Sequence, residues 1–230
     1  FLDLQKDLSE NKSLYRFTLP DLNILHKSFC KLGVDDEFHI ILYSGNGPQW
    51  STRIWWMLYI LGFKKISILD GGFNQWKKLG YQTEKKINIF KEGNFKIHSN
   101  SFREMFVDKN NVFLGMKKKS CFLLNALTED IHLGLNSRYG RPGRIPGSAN
   151  VPFHELLDFL TTKFKSPEEV KKIFNKKGIN YNDEIINYCG GGIAATLNAF
   201  LLYQLGFDKL KIYDNSMSEW AQDKNLPIEV

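Results

Sequence analysis

Cys189 stands where its thiol could act as a nucleophile. It follows a short apolar run at 184–188 and precedes three consecutive glycines at 190–192. An apolar run of this length, bounded by polar residues, is typical of a buried parallel strand. Residues 194–205 are rich in Ala and Leu, with leucines spaced by four, and this pattern predicts a helix. We therefore expect the thiol at the corner between a strand and a helix.

The main chain at this corner could stabilise an anion. Glycine reaches backbone conformations that other residues avoid, so successive N–H groups of the loop 190–194 can point at one spot. The unpaired N–H groups and the positive dipole end of the following helix face the same spot. Both effects favour a thiolate, the form of cysteine that attacks sulfur or carbon. The alternative is that Cys189 is simply a small buried hydrophobic residue. We favour the thiolate, because three glycines would weaken a purely structural turn.

Three known anion-binding loops share part of this pattern. A P-loop requires Lys followed by Ser or Thr after its glycines, which residues 193–196 do not provide. A cysteine phosphatase loop requires an arginine where Ala195 stands. The dinucleotide fingerprint fits better, because its glycine spacing is present at 190–195 and Asp214 closes the next predicted strand. Only 16 residues follow Asp214, too few for the remaining strands of such a domain, so this interpretation is the weaker one.

What remains is a six-residue loop, Cys189 to Ala194, without a side-chain cation, and here the sequence resembles the rhodanese family of sulfurtransferases. Residues 143–153, GRIPGSANVPF, look like that family's Gly-His-Ile-Pro-Gly-Ala/Ser-x-Asn-Val-Pro segment. Residues 70–76, DGGFNQW, look like its Asp-Gly-Gly-x-x-x-Trp segment. The resemblance covers nearly the whole chain and implies that Cys189 carries sulfur as a persulfide. It also implies a backbone loop that stabilises this persulfide, formed by Gly190, Gly191, Gly192, Ile193 and Ala194.

The two halves of the chain repeat each other. Three features recur at an offset of 144 residues: Leu-Gly-Phe at 61–63 and 205–207, an aspartate at 70 and 214, and a tryptophan at 76 and 220. This offset predicts a domain duplication and not a short solenoid repeat. The first copy has Ser44 in place of the cysteine, and a serine hydroxyl cannot carry a persulfide, so we expect this copy to be non-catalytic. Residues 53–58 resemble the Arg-x-Trp-Trp helix of non-catalytic halves, and we expect their tryptophans to pack.

The resemblance implies an α/β fold with two rhodanese-like domains, each a parallel sheet flanked by helices on both faces. We assign residues 1–85 to a non-catalytic first domain, 86–101 to a polar linker and 102–230 to the catalytic domain. The strand predicted at 121–125 has a counterpart in the first copy that would precede Phe1. We therefore expect the first domain to be truncated at its start.

Residue patterns elsewhere predict the remaining elements. Helices are expected at 22–32, 154–160 and 167–177, strands at 38–43, 65–69 and 209–213, and a long loop at 126–147.

The long loop holds Arg138, Arg141 and Arg144. Such a cluster near an anion site could bind a carboxylate or sulfonate through bidentate hydrogen bonds, and the alternative is a solvated loop. The resemblance favours the first interpretation and implies a substrate-binding role for Arg138 and Arg141. Arg144 stands where the family usually has His, and Asn125 stands where an Asp is common, so the role of Arg144 is open.

Composition limits the partners and the compartment. The net charge of +6 comes from 31 basic and 25 acidic residues, with lysines scattered among carboxylates, so we expect no nucleic acid partner. No apolar run approaches the roughly 18 residues of a membrane span, and the first residues lack a signal-peptide pattern. Three cysteines at wide spacing, Cys30, Cys121 and Cys189, form neither a disulfide framework nor a zinc pattern. We expect no metal, no cofactor and a reducing, cytoplasmic location.

The predicted activity is transfer of a sulfane sulfur from a small anionic donor to cyanide or a thiol through a persulfide on Cys189. The resemblance implies thiosulfate or 3-mercaptopyruvate as the donor, and a thioredoxin-like protein is a candidate thiol acceptor. Thiosulfate enzymes tend to carry basic residues directly after the cysteine, whereas mercaptopyruvate enzymes carry two hydroxyls in the loop. Gly190, Gly191 and Ala194 provide neither, so the donor is open. The alternative function is a degenerate rhodanese-like module that carries sulfur or binds a partner without catalysis.

Overall fold

The computed structural model describes residues 1–86, 88–97 and 103–230. Within these residues the strands are β1 (Ile40–Leu42), β2 (Ile66–Ile68), β3 (Phe106–Val107), β4 (Cys121–Asn125), β5 (Ala149–Asn150), β6 (Glu184–Tyr188) and β7 (Leu210–Tyr213). The helices are α1 (Leu4–Asp7), α2 (Leu22–Lys31), α3 (Pro48–Ile60), α4 (Gly72–Lys78), α5 (Lys109–Gly115), α6 (Glu129–His132), α7 (Pro167–Asn175), α8 (Ala194–Gln204) and α9 (Ser216–Trp220). Short 3₁₀ helices lie at Arg103–Met105 and Phe153–Leu156.

The structure has two lobes, a first that contains β1 and β2 and a second that contains β3 to β7. The second lobe is built on a five-stranded parallel sheet in the order β3-β7-β6-β4-β5. β6 lies at its centre, and Ile185, Ile186 and Tyr188 are buried because helices and loops cover both faces. The predicted strands at 121–125 and 184–188 have these bounds in the structure, and pair in register from Cys121 with Glu184 to Asn125 with Tyr188.

The first lobe contains a smaller sheet of two parallel strands, β1 and β2, within the described residues. Both strands are shorter than predicted, while α2 matches the expected helix at 22–32 to within one residue. The α/β class with parallel sheets and flanking helices is confirmed.

The two lobes meet along α3 and α8. Trp55 contacts the rings of Phe200 and Tyr203 at centroid distances of 5.1 and 5.5 Å. Trp56 is fully buried, and its indole N–H donates to the carbonyl oxygen of Thr196 at 3.0 Å. The expectation that these tryptophans pack is confirmed, and they pack between the two copies.

The prediction of a helix at 154–160 is wrong. The chain forms the 3₁₀ helix Phe153–Leu156 and then turns, so that Leu157 bridges Phe164 in an antiparallel pair. The Asp158 carboxylate accepts the N–H groups of residues 160 and 161, and this local turn competes with a helix. The expected loop at 126–147 is also partly helical, because α6 lies inside it.

Part of the predicted linker packs against the first lobe. Phe95 is buried and contacts the rings of His26 and Phe63. The N–H of Gly93 donates to the carbonyl oxygen of Cys30 at 2.8 Å. Residue 87 and residues 98–102, which include the rest of the linker and the start of the second domain, lie outside the described residues. Within the described ranges, no helix combines the length and the apolar character that a membrane span requires.

Candidate active site

Cys189 lies between β6 and α8, as the sequence predicted. The residue is buried, with 2% of its surface exposed. Its N–H donates to the hydroxyl oxygen of Ser216 at 3.0 Å, and that oxygen lies 4.0 Å from the cysteine Sγ. The Ser216 hydroxyl in turn donates to the carbonyl oxygen of Tyr213 at 2.7 Å. A single hydroxyl therefore connects the end of β7 with the main chain of Cys189.

The loop after the cysteine carries unpaired main-chain donors. The N–H groups of residues 190–194 have no acceptor within the described part of the chain. Most of this loop is buried, and only Gly191 is half-buried. Buried backbone donors are nearly always paired in native proteins, so a set of five without acceptors indicates a place for an anion. The 11-residue helix α8 starts at this loop and adds its positive dipole end.

Hydrogen bonds from α9 fix the conformation of the loop. The carbonyl oxygen of Cys189 accepts the N–H of Met217 at 3.0 Å, and that of Gly190 accepts the N–H and the hydroxyl of Ser218 at 2.8 and 2.6 Å. Gly192 has φ +70°, and a Cβ there would overlap the carbonyl oxygen of Asp214. Glycine is therefore required at position 192 for two independent reasons.

Tyr139 covers one side of the loop. Its ring lies so close to Gly190 that a Cβ at that position would overlap the phenol oxygen. Burial and the nearby charge of a Cys189 thiolate raise the pKa of Tyr139, so its hydroxyl stays protonated and can donate. The tyrosine also occupies the space that a side chain at position 190 would need, which explains why no cation follows the cysteine directly.

The two arginines expected to bind substrate lie in different surroundings. Arg138 is exposed, and its guanidinium carbon lies 5.7 Å from the centroid of the Tyr139 ring. No hydrogen bond or ion pair engages this guanidinium within the described residues. Arg141 donates at 2.6–3.1 Å to four main-chain carbonyl oxygens, those of Trp220, Ala221, Asp223 and Leu226. Substrate binding by Arg141 stays a prediction, and bidentate binding would require some of these bonds to open.

The residues that depart from the family pattern have structural contacts. Arg144 forms an ion pair with Glu229 and donates to the carbonyl oxygen of His132 at 3.2 Å. Asn125 is buried, accepts the N–H of Leu127 at 2.9 Å and donates to His132 Nδ1 at 3.0 Å. Both residues thus support the loop that carries Tyr139.

The corresponding loop of the first copy has similar contacts without a thiol. The carbonyl oxygen of Ser44 accepts the N–H of Phe73 at 3.1 Å, and that of Gly45 accepts the side-chain amide of Asn74 at 2.8 Å. A cleft of about 360 Å³ opens at this loop and is also lined by residues of the segment 153–162. The expectation that Ser44 is non-catalytic stays a prediction.

Asp214, on which the dinucleotide interpretation depends, uses its carboxylate within the protein. One oxygen pairs with Arg53 at 2.7 Å, and the other accepts the N–H of Leu19 at 2.7 Å. These contacts leave the acidic residue poorly placed to bind a ribose hydroxyl.

Sequence reasoning did not single out Ser216. It stands 144 positions after Gly72, and both residues have positive φ, at +50° and +58°. A serine held in the left-handed region next to a cysteine is the kind of strained position that clusters at functional sites. The repeat offset could have revealed it, because the first copy has glycine at the equivalent position.

A family model decides the relationship. The model described as the rhodanese-like domain matches residues 8–79 and 133–223, which together exceed half of the chain. The chain belongs to the rhodanese-like family. The predicted resemblance is confirmed, and so are the two rhodanese-like regions, one in each half.

Curated relatives of this rhodanese-like protein are sulfurtransferases. It is 29% identical over 256 residues to thiosulfate/3-mercaptopyruvate sulfurtransferase 1, mitochondrial, of Arabidopsis thaliana, covering 100% of this chain and 66% of that protein. It is 30% identical over 237 residues to 3-mercaptopyruvate sulfurtransferase of Escherichia coli K12, covering 100% of this chain and 81% of the relative. The prediction of an enzyme of the sulfurtransferase class is confirmed at this coarse level.

Solved structures agree with the family. The crystal structure of SseA from Escherichia coli, a 3-mercaptopyruvate sulfotransferase by its description, superposes with a TM-score of 0.82 at 29% identity, covering 94% of this chain and 80% of that one. The Tum1 protein of Saccharomyces cerevisiae superposes with a TM-score of 0.87 at 22% identity, covering 100% and 81% of the two chains, and shows the same fold.

Proposed function

We propose that this protein transfers sulfane sulfur from thiosulfate or 3-mercaptopyruvate to cyanide or a thiol through a persulfide on Cys189. The observation that carries the proposal is the set of five N–H groups at 190–194 that lack acceptors within the described residues and adjoin this cysteine. A persulfide anion in the loop would accept hydrogen bonds from these preorganised donors. Membership of the rhodanese-like family and the named relatives support the same assignment.

The first half-reaction forms the persulfide. The Cys189 thiolate attacks the outer sulfur of thiosulfate, an S–S bond forms to the cysteine, and the S–S bond of the donor breaks. Sulfite leaves with the electron pair of that bond. With 3-mercaptopyruvate the C–S bond breaks instead, and pyruvate leaves as its enolate, which then takes a proton from water. Arg138 is the cation proposed to attract either anionic donor, because its guanidinium is exposed beside Tyr139.

The second half-reaction removes the outer sulfur from the Cys189 persulfide. Cyanide or a thiolate, including that of a thioredoxin-like protein, attacks the outer sulfur of the persulfide. The S–S bond to Cys189 breaks, the product leaves with the sulfur, and the cysteine thiolate is restored. Because one product leaves before the acceptor binds, we expect ping-pong kinetics.

A sulfur-carrier or partner-binding module is the second candidate. It is favoured by the burial of Cys189, of which only 2% is exposed, and by the position of Tyr139 over the loop. In this alternative the cysteine accepts one sulfur and releases it only to a docked protein.

Steady-state kinetics with both donors and with cyanide test the proposal. Wild type should give parallel reciprocal plots, and Cys189→Ser should abolish turnover while leaving the fold intact. Cys121→Ser is the matched control: burial raises the pKa of Cys121 to about 11, so its thiolate is scarce, and its loss should leave turnover unchanged. Activity that survives in Cys189→Ser would reject the assignment, and a single sulfur bound without turnover would favour the carrier.

A further inference from the structure

A buried arginine from the first lobe reaches the proposed catalytic loop of the second. Arg53 lies in α3 and is fully buried. One of its amino groups, Nη1, donates to the carbonyl oxygen of Gly192 at 3.2 Å. The other, Nη2, donates to the carbonyl oxygen of Phe17 at 2.6 Å and pairs with Asp214 at 2.7 Å. The guanidinium carbon lies 4.6 Å from the centroid of the Phe106 ring.

Burying this ion pair between the two lobes carries a large desolvation free energy. Taking a guanidinium and a carboxylate out of water costs free energy that their attraction repays only when geometry and hydrogen bonds are good. Apolar residues of similar volume often stabilise such a contact equally well or better. Stability alone therefore does not explain a buried Arg53, and its contact with the loop offers a different reason.

The duplicated chain contains its own comparison. Asp70, the counterpart of Asp214, accepts the N–H of Phe164 at 2.9 Å, just as Asp214 accepts the N–H of Leu19 at 2.7 Å. The residue 144 positions after Arg53 is Leu197, so the contact around Ser44 has the aspartate but not the arginine. Asp70 and Asp214 thus make equivalent main-chain contacts, but the counterpart of Arg53, which pairs with Asp214, is an apolar residue.

We propose that Arg53 is a positioning residue that fixes the Cys189 loop through the carbonyl oxygen of Gly192. The hydrogen bond fixes that carbonyl at a glycine with φ +70°, which orients the neighbouring peptide planes and keeps the N–H groups of residues 190–194 free for the sulfur anion. The first lobe then has a defined task, since it supplies the charged group that shapes the site of the second. This inference rests on the proposed function of the loop, but its structural part can be tested without turnover.

The experiment uses the full chain and three variants. Arg53→Met removes the charge and keeps much of the side-chain volume. Arg53→Lys keeps the charge but loses the two amino groups of the guanidinium. The double variant, Arg53→Met with Asp214→Asn, removes both charges so that no unpaired charge stays buried. Leu197→Met is the matched control, because Leu197 is the buried counterpart of Arg53 in the second copy. For each protein, hydrogen exchange is measured on the peptide that spans 215–220, because the N–H groups of Met217 and Ser218 donate to the carbonyl oxygens of Cys189 and Gly190 and so report the position of the loop. The constants kcat and KM are measured with both donors.

We expect exchange in this peptide to rise about tenfold in Arg53→Met, as for loss of a charge-assisted hydrogen bond, and kcat to fall by about the same factor. KM should change less than about twofold, because the effect is on the arrangement of the loop and not on donor binding. Arg53→Lys should fall between wild type and Arg53→Met, and the double variant should match Arg53→Met. Leu197→Met should match wild type.

Wild-type exchange and wild-type kcat in a folded double variant would overturn the inference. So would equal effects in Leu197→Met, because these would show a general response to changes at the lobe interface. If wild type transfers no sulfur from either donor, the proposed function fails, and the exchange data still decide whether Arg53 positions the loop.

Discussion

Thr52 and Thr196 occupy equivalent positions in the two copies, and their hydroxyl oxygens lie 2.8 Å apart. Tyr59 and Tyr203 are likewise separated by 144 positions, and their ring centroids lie 5.3 Å apart. Residues that meet their own counterparts define a local twofold axis, which here passes between α3 and α8. The first lobe is therefore packed on the second as one half of a symmetric dimer packs on the other.

Replacing either threonine with valine should weaken this contact. One hydroxyl donates to the other, and each also has a main-chain carbonyl oxygen within reach, that of Gln49 for Thr52 and that of Ile193 for Thr196. A single substitution therefore leaves the remaining hydroxyl with a partner. We expect a coupling free energy of about 1 kcal/mol between the two sites, the usual net value of one hydrogen bond. A double-mutant cycle on the free energy of unfolding measures it. Strict additivity of the two substitutions would show that the pair contributes nothing.

Alanine substitutions at the three glycines of the loop should differ in their effects on stability and activity. Gly191→Ala should be tolerated, because a Cβ there meets only Ser218 Oγ at 3.7 Å and the carbonyl oxygen of Arg16 at 3.8 Å. Gly190→Ala should displace Tyr139, and Gly192→Ala should strain the backbone and cost about 1–3 kcal/mol or more. Thermal unfolding and sulfur transfer of the three variants give the order. Equal losses at all three positions would show that the contacts of Tyr139 with Gly190 and of Asp214 with Gly192 do not limit the side chain at these positions.

Tyr139 should limit access to the thiol. Removing its ring with Tyr139→Ala should expose Cys189 and raise the rate of its alkylation by iodoacetamide severalfold, while Tyr139→Phe keeps the cover and should leave that rate near wild type. Peptide mass spectrometry of the alkylated cysteine follows the reaction. A rate that does not change in Tyr139→Ala would mean that reagent reaches the sulfur by another route.

His132 should make stability depend on pH. Burial, with a contribution from the charge of Arg144, lowers its pKa to about 4, whereas an unfolded histidine titrates near about 6.5. Between these values the unfolded chain binds a proton that the folded protein does not, so stability falls as pH falls through this window. We expect a loss of roughly 2 kcal/mol between pH 7 and pH 5 from this residue.

The comparison variant for this effect is His132→Gln, measured by urea unfolding at both pH values. It should be less stable than wild type at pH 7 and should lose less stability on acidification. The same pH dependence in both proteins would assign the effect to other groups.

Local patterns predicted the strand and the helix on either side of Cys189, because an apolar run and regularly spaced leucines specify them within a few residues. They failed at 154–160, where the carboxylate of Asp158 closes a turn in place of a helix. The contact between Arg53 and Gly192 spans 139 positions and depends on how the lobes pack, so no local pattern contains it. No local pattern indicates Ser216 either, because its place beside Cys189 depends on the backbone conformation that follows β7.

A sulfurtransferase that works through Cys189 must take up a sulfur atom on this residue. Mass spectrometry of the protein after exposure to thiosulfate, and separately to 3-mercaptopyruvate, tests this directly. We predict the added mass of one sulfur atom on the peptide that contains Cys189, its removal by cyanide, and no addition in Cys189→Ser. Sulfur found only on Cys30 or Cys121, or no addition from either donor, would rule out Cys189 as the residue that carries the sulfur.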